Sequence, residues 1–316
     1  MIMKCRKFQE NDWKALCELY NQVFTADRVT EAFFLEHLIL SPNFDPEGVV
    51  LAEENGRLTG AVIAQIARRN LSPWSDQVTA SADKGYLMPP LISDVDTGKC
   101  LIAEAEKYFL SNGRRTVFGS AIGPTLFPDG VDWRMYPVIS QALEESGYQE
   151  CSQYFSMGRS LLNYVPDDRI TEKIQKLRQI GIEAKVCEWD DVPAVKRFLL
   201  AGDLIGRIQN LAQKIRQHEL DQVVIIRNAE NVLGYCQYNY YDEAERCGPF
   251  GVTREMRGQG IGQVMVAKLL EIMARRGFQY VWFASCSERN VHFYSKNGFE
   301  VFRAKKLYTK ILKEVK

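Results

Sequence analysis

Arg257-Gly258-Gln259-Gly260-Ile261-Gly262 sits where a strand hands over to a helix. Ahead of it, Cys247-Gly248-Pro249-Phe250-Gly251-Val252 reads as a short strand with a bend. Behind it, Val264, Met265, Ala267, Lys268, Leu269, Ile272 and Met273 recur at helical spacing. Gly258, Gly260 and Gly262 let the backbone approach a ligand closely, and the N–H groups at a helix start point toward it. The helix dipole and Arg257 add positive potential, which suits a phosphate or pyrophosphate. Two other phosphate loops fit poorly. Gln263 stands where a dinucleotide fingerprint needs glycine or alanine, and no P-loop Lys-Ser/Thr pair is present. A glycine-rich turn with tight helix packing is the plain alternative.

Downstream, Gln279-Tyr280-Val281-Trp282-Phe283-Ala284 reads as a strand, rich in β-branched and aromatic residues. Asn290 to Phe299 follows as a short helix closed by Gly298. Arg257-x-x-Gly260-x-Gly262, with Asn290…Phe293-Tyr294…Gly298-Phe299 after it, resembles the GNAT superfamily of acyl-CoA N-acyltransferases over residues 184–316. The resemblance implies acetyl-CoA as cosubstrate, lying in a V-shaped split between two parallel strands. Phe250, Gly251 and Val252 would pair with the pantetheine arm like an added strand. The N–H groups from Arg257 through Gly258, Gln259, Gly260, Ile261 and Gly262 to Gln263 would hold the pyrophosphate. Asn290 would touch CoA or serve as a plain helix cap. A substrate amine would attack the thioester directly, and Tyr294, the tyrosine of the Phe-Tyr pair, would donate to the departing sulfur. Packing of the helix onto the sheet is the structural alternative for Tyr294.

The base has two readings. Glu243 and Glu245 share the parity of Cys247, so in a regular strand their side chains share a face, and Glu245 can relay a proton through water. The run Asp242-Glu243-Ala244-Glu245-Arg246 also fits a solvated hairpin. Cys247 as a nucleophile finds no histidine nearby in sequence, and direct attack needs none.

The strand and helix order of residues 182–316 repeats in the first half. Glu230-Asn231-Val232-Leu233-Gly234 parallels Asn55-Gly56-Arg57-Leu58-Thr59-Gly60, and Lys296-Asn297-Gly298-Phe299 parallels Glu145-Ser146-Gly147-Tyr148. Internal duplication places one domain at 1–163, a linker with a charged helix at 164–181, and a second domain at 182–316. The fold class is therefore mixed α/β (α+β): two tandem GNAT-like domains, each a mostly antiparallel sheet flanked by helices. The first copy reads as degenerate. Val95-x-x-Gly98-x-Cys100 stands against Arg257-x-x-Gly260-x-Gly262, and Asp94 and Asp96 would repel a pyrophosphate.

Forty basic and forty acidic residues cancel among 316, so no overall field draws nucleic acid or an anionic membrane. Eight cysteines without a C-x-x-C pair indicate neither a zinc site nor a disulfide framework, and no metal is expected. The N-terminus lacks an apolar signal core, so the chain reads as cytoplasmic, a monomer or homodimer. Its expected partner is a small-molecule amine. Pro124–Tyr136, with Phe127, Asp129, Asp132 and Trp133, is long enough for a substrate loop, and Asp132 and Trp133 would suit a cationic amine. The rival to an N-acetyltransferase is a catalytically silent CoA-binding protein on the same scaffold.

Overall fold

The computed structural model describes residues 4–41, 43–66, 84–120, 130–202 and 207–313. The first repeat runs β1 (Lys4–Lys7), α1 (Trp13–Val23), α2 (Glu31–Phe34), β2 (Val49–Glu54), β3 (Arg57–Ile66), β4 (Lys84–Leu87), α3 (Val95–Ser111), β5 (Thr116–Gly119), α4 (Pro137–Glu145) and β6 (Gln149–Ser160). Helix α5 (Asp168–Gln179) follows. The second repeat runs β7 (Glu183–Val186), α6 (Val192–Ala201), α7 (Ile208–Arg216), β8 (Val223–Arg227), β9 (Val232–Tyr240), β10 (Glu243–Val252), α8 (Ile261–Arg275), β11 (Tyr280–Ser287), α9 (Glu288–Ser295) and β12 (Glu300–Ile311). No helix among the described residues is long and apolar enough to cross a membrane.

Local chemistry explains most of these elements. Asn55 and Gly56 both take positive φ, which gives β2 and β3 the tight turn that matches strand twist. Pro89 and Pro90 leave β4 short, and only Leu91 rejoins the ladder, through a bridge to Ala61. A 3-10 turn over Glu10–Asp12 precedes α1, and the Asp12 carboxylate accepts the Gln9 N–H at 2.7 Å. After β7, Asp191 accepts the Glu188 N–H at 3.0 Å and holds Trp189–Asp191 in a 3-10 turn.

The duplication is visible in packing. Gly60 on β3 lies where a Cβ would meet Thr97 and Leu101 of α3 at 3.0 Å, and Gly234 on β9 lies where one would meet Met265 of α8 at 3.0 Å. In each repeat a glycine lets the central helix press against its sheet.

The chain forms two compact units, Met1–Tyr154 with Arg303–Lys316, and Phe155–Phe302. These differ from the partition at 1–163, 164–181 and 182–316, because the last strand of each repeat serves the other's sheet. In the first unit the strand order is β1-β2-β3-β4-β5-β12, with β4 and β5 parallel and Tyr308 of β12 opposite Gly119. In the second the order is β6-β11-β10-β9-β8-β7, with β10 and β11 parallel. Helix α5, read from sequence as linker, belongs to this second unit and packs against α8. Strand β8 is buried on both faces: Val223 and Ile225 join the core under α6 and α7, Val224 and Ile226 the core under α8. Strand pairing over such sequence distance leaves no local signature.

In the first unit Arg303 ties the returning strand down. Its guanidinium donates to Asp27 at 2.6 and 2.9 Å and to Asp132 at 3.0 Å, while the Tyr136 hydroxyl donates to Asp27 at 2.7 Å. Burial works against the Asp27 carboxylate, but the bonds from Arg303 and Tyr136 outweigh it and hold the group below its ordinary range. Such a group contributes stability that is present above the unfolded carboxylate pKa of about 4 and is lost as pH falls through the folded value. Arg303→Ala is expected to cost about 3 kcal/mol at neutral pH, by stranding buried carboxylates. It should also flatten the acid limb of the stability profile. Urea unfolding of the first unit at about pH 7 and about pH 3 checks both; an unchanged acid limb would contradict this account.

Candidate active site

The loop ahead of α8 is built by backbone conformation. Gly258 and Gly260 take φ of 82° and 83°, the left-handed region where a side chain is strained. Gly260 is the N-cap of α8 and has no side chain with which to close the helix end. Arg257 N–H donates to Arg254 O at 3.2 Å and Gln263 N–H to Gly260 O at 3.0 Å. The donor set is thus narrower than the expected Arg257-to-Gln263 span: among the described residues, the N–H groups of Gly258, Gln259, Gly260, Ile261 and Gly262 have no backbone acceptor. At Gly262 an added Cβ would lie 3.2 Å from the Phe293 ring and 3.5 Å from Phe250, so a side chain would fill the space at the helix start. Arg257 donates from Nε to Val252 O at 3.3 Å and stays exposed.

The first repeat closes the same place. Asp94 is the N-cap of α3, and its carboxylate accepts the Thr97 N–H at 2.8 Å. By helix caps Asp94 stands against Gly260, which corrects the pairing of Gly98 with Gly260. Gly98 lies inside α3, where a Cβ would strike Ile92 at 2.5 Å and Ala142 at 2.8 Å. A helix end already holding its own carboxylate has little left for a phosphate.

Strands β10 and β11 are paired in register at Arg246 and Trp282, and beyond that point each runs on, to Val252 and to Ser287. This is a V-shaped opening. Its β10 side is irregular, with register shifts between Glu243 and Cys247 and between Cys247 and Phe250. The shared-face argument for Glu243, Glu245 and Cys247 therefore fails, because it required a regular strand. Glu245 is exposed, ahead of the second shift. A cleft of about 840 Å³ lies over the end of β10, bordered by Phe250, Gly251, Val252 and Met256 and by Arg197 and Phe198 of α6. Its size and its mixed lining suit a small-molecule ligand.

Tyr294 of α9 stands among aromatic rings, with centroids 4.3 Å from Phe283, 5.0 Å from Phe293, 5.8 Å from Phe299 and 6.0 Å from Phe250. Burial pushes its phenol well above the ordinary value, and the thiols of Cys247, Cys286 and Cys236 add to the effect. The hydroxyl holds its proton at neutral pH, as an unperturbed phenol also does, and the side chain is half-buried. It also packs, so the acid and packing readings are compatible. Asn290 lies in the first turn of α9 and is exposed; the cap is Ser287, which removes the capping alternative.

The substrate residues read from sequence are engaged elsewhere. Asp132 is buried, with Oδ2 accepting from Arg303 and Oδ1 from the Arg134 and Met135 N–H groups at 3.1 and 3.2 Å. A carboxylate so engaged does not fit the role of holding a substrate amine. Lys306 Nζ and the Arg134 guanidinium each lie 5.4 Å from the Trp133 ring centroid, so cations of the chain itself already border that ring. Phe127 and Asp129 lie outside the described residues. Lys173 of α5, which no sequence pattern sets apart, donates from Nζ to Gln263 Oε1 at 2.5 Å.

Residues 185–299 match the model of the family described as "Acetyltransferase (GNAT) family". This stretch is a GNAT acetyltransferase domain. No curated protein matches the sequence. Similar solved structures extend the fold to the whole chain. A glucosamine N-acetyltransferase region of a fungal multi-domain GH3 β-N-acetylglucosaminidase aligns with TM-score 0.73 and 16% identity, over 98% of this chain and 38% of that one. The chain thus spans little more than a third of that protein. A GCN5-related N-acetyltransferase from Sphaerobacter thermophilus aligns with TM-score 0.63 and 16% identity, over 99% of this chain and 96% of that one. A tandem GNAT protein from the clavulanic acid biosynthesis pathway aligns with TM-score 0.62 and 14% identity, over 100% of both chains. The two repeats here therefore have the fold of tandem GNAT domains.

The residues present fit CoA. A side-chain-free helix start offers successive N–H groups, and a cleft runs beside the backbone of Phe250 to Val252. Cys247 does not fit a nucleophile, since burial pushes its thiol up to about 12. Alkylation with iodoacetamide at about pH 8 is expected to label the exposed Cys100 and Cys151 first and to spare Cys247 until the chain unfolds. Rapid labelling of native Cys247 would reopen a covalent route.

Proposed function

We propose that the chain is an N-acetyltransferase that moves an acetyl group from acetyl-CoA to a primary amine of a small substrate by direct attack. The observation that carries the reading is the α8 helix start, free of any side-chain cap, beside a strand split and near the half-buried Tyr294. In this reading the N–H groups of Gly258 to Gly262 and the dipole of α8 bind the pyrophosphate. The β10 edge from Phe250 to Val252 pairs with the pantetheine amides, and Asn290, exposed in the first turn of α9, contacts CoA. Acetyl-CoA supplies the activated thioester. The amine nitrogen forms the new N–C bond, the C–S bond breaks, and Tyr294 gives its proton to the sulfur. The amine proton passes to solvent water, and Tyr294 is reprotonated from solvent. The glucosamine N-acetyltransferase region among the similar structures supports amino compounds as the first acceptors to try. A cytoplasmic setting keeps the eight unpaired cysteines reduced.

Release of CoA thiol over an amine panel tests this. The wild type is expected to turn over at least one amine, and Tyr294→Phe to lower kcat by about 10²-fold with acetyl-CoA affinity intact. Full kcat in Tyr294→Phe would remove Tyr294 from the acid role. Failure of the wild type to bind acetyl-CoA would overturn the reading altogether.

A further inference from the structure

Helix α5 lies outside the family-matched residues 185–299, yet it reaches the helix start that the proposed function uses. It packs against α8, and its Lys173 is half-buried there. The Lys173 stem runs beside the glycine loop, with Cδ 3.4 Å from where a Cβ on Gly260 would stand. Its Nζ is 2.5 Å from Gln263 Oε1. That amide is neutral, and among the described residues no carboxylate pairs with Lys173.

This is the wrong end of a helix for a lysine. The positive pole of the dipole disfavours a cation, and lysines are favoured at the opposite terminus. Other lysines of this unit follow the ordinary pattern: Lys176 pairs with Glu172, Lys185 with Glu188 and Asp191, Lys214 with Glu219 and Lys268 with Glu271. Lys173 instead brings a like potential up to the N–H groups of Gly258 to Gly262. An anion seated on those groups would reverse the sign of the interaction and add a charge-assisted bond.

We propose that Lys173 is a pyrophosphate-binding residue, supplied to the CoA site by the helix that joins the two repeats. This rests on the reading of the glycine loop as that site. Gln263 holds the ammonium near the loop, and the diphosphate oxygens accept from Nζ when CoA binds. The joining helix thereby becomes part of cofactor recognition, and CoA clamps α5 onto α8.

Calorimetric titration with CoA and with dephospho-CoA, on wild type, Lys173→Ala and Lys173→Arg, tests it. Lys173→Ala should weaken CoA about tenfold, the scale of one hydrogen bond to a charged group. Dephospho-CoA should lose by the same factor, because it keeps the diphosphate. Lys173→Arg should recover most of the affinity, and the salt dependence of CoA binding should be shallower in Lys173→Ala. Unchanged CoA affinity in a folded Lys173→Ala would overturn the inference while leaving the acetyltransferase reading standing. A loss confined to CoA and absent with dephospho-CoA would also overturn it, assigning the lysine to the 3′-phosphate instead. A wild type that binds neither ligand would overturn the underlying reading and this inference with it.

Discussion

A helix that begins without a side-chain cap carries its positive pole outward, and the second unit is arranged around one such end. Gly260, in the left-handed region, starts α8 without offering an acceptor to the N–H groups beside it. At the matching place in the first repeat Asp94 caps α3 with its own carboxylate. A cap is worth about 1 kcal/mol to a helix. At this helix start the two repeats differ, one end closed by its own carboxylate and the other begun by a glycine without a side-chain cap.

Around that end, strands β10 and β11 pair at Arg246 and Trp282, and the pairing of β10 with β9 shifts register around Cys247 and Phe250. Helix α9 closes the arrangement with a ring cluster around Tyr294, whose burial raises its phenol above the ordinary value. Each part is ordinary packing or pairing, and within this one unit they converge.

Much of this was legible in the chain because it is local. The glycine loop and the amphipathic stripe of α8 each depend on a few neighbouring residues, and the structure has them where the pattern put them. What escaped depends on distant partners. Nothing in Gln149–Ser160 or Glu300–Ile311 announces that each strand completes the other repeat's sheet. Asp132 read as a substrate residue until Arg303, far along the chain, was seen to hold it. Register shifts in β10 broke the parity argument for Glu245, and such shifts leave no mark in side-chain alternation alone. Lys173 was one charge among many on a polar helix, and only its approach to Gly260 and Gln263 sets it apart.

The asymmetry between the two helix ends is most directly tested by the stoichiometry of acetyl-CoA on the intact chain, measured by native mass spectrometry. A single equivalent per chain is the predicted result, abolished by Gly260→Asp, which places a carboxylate where the first repeat has one. Two equivalents, or one that survives Gly260→Asp, would contradict the assignment of the site to the second unit.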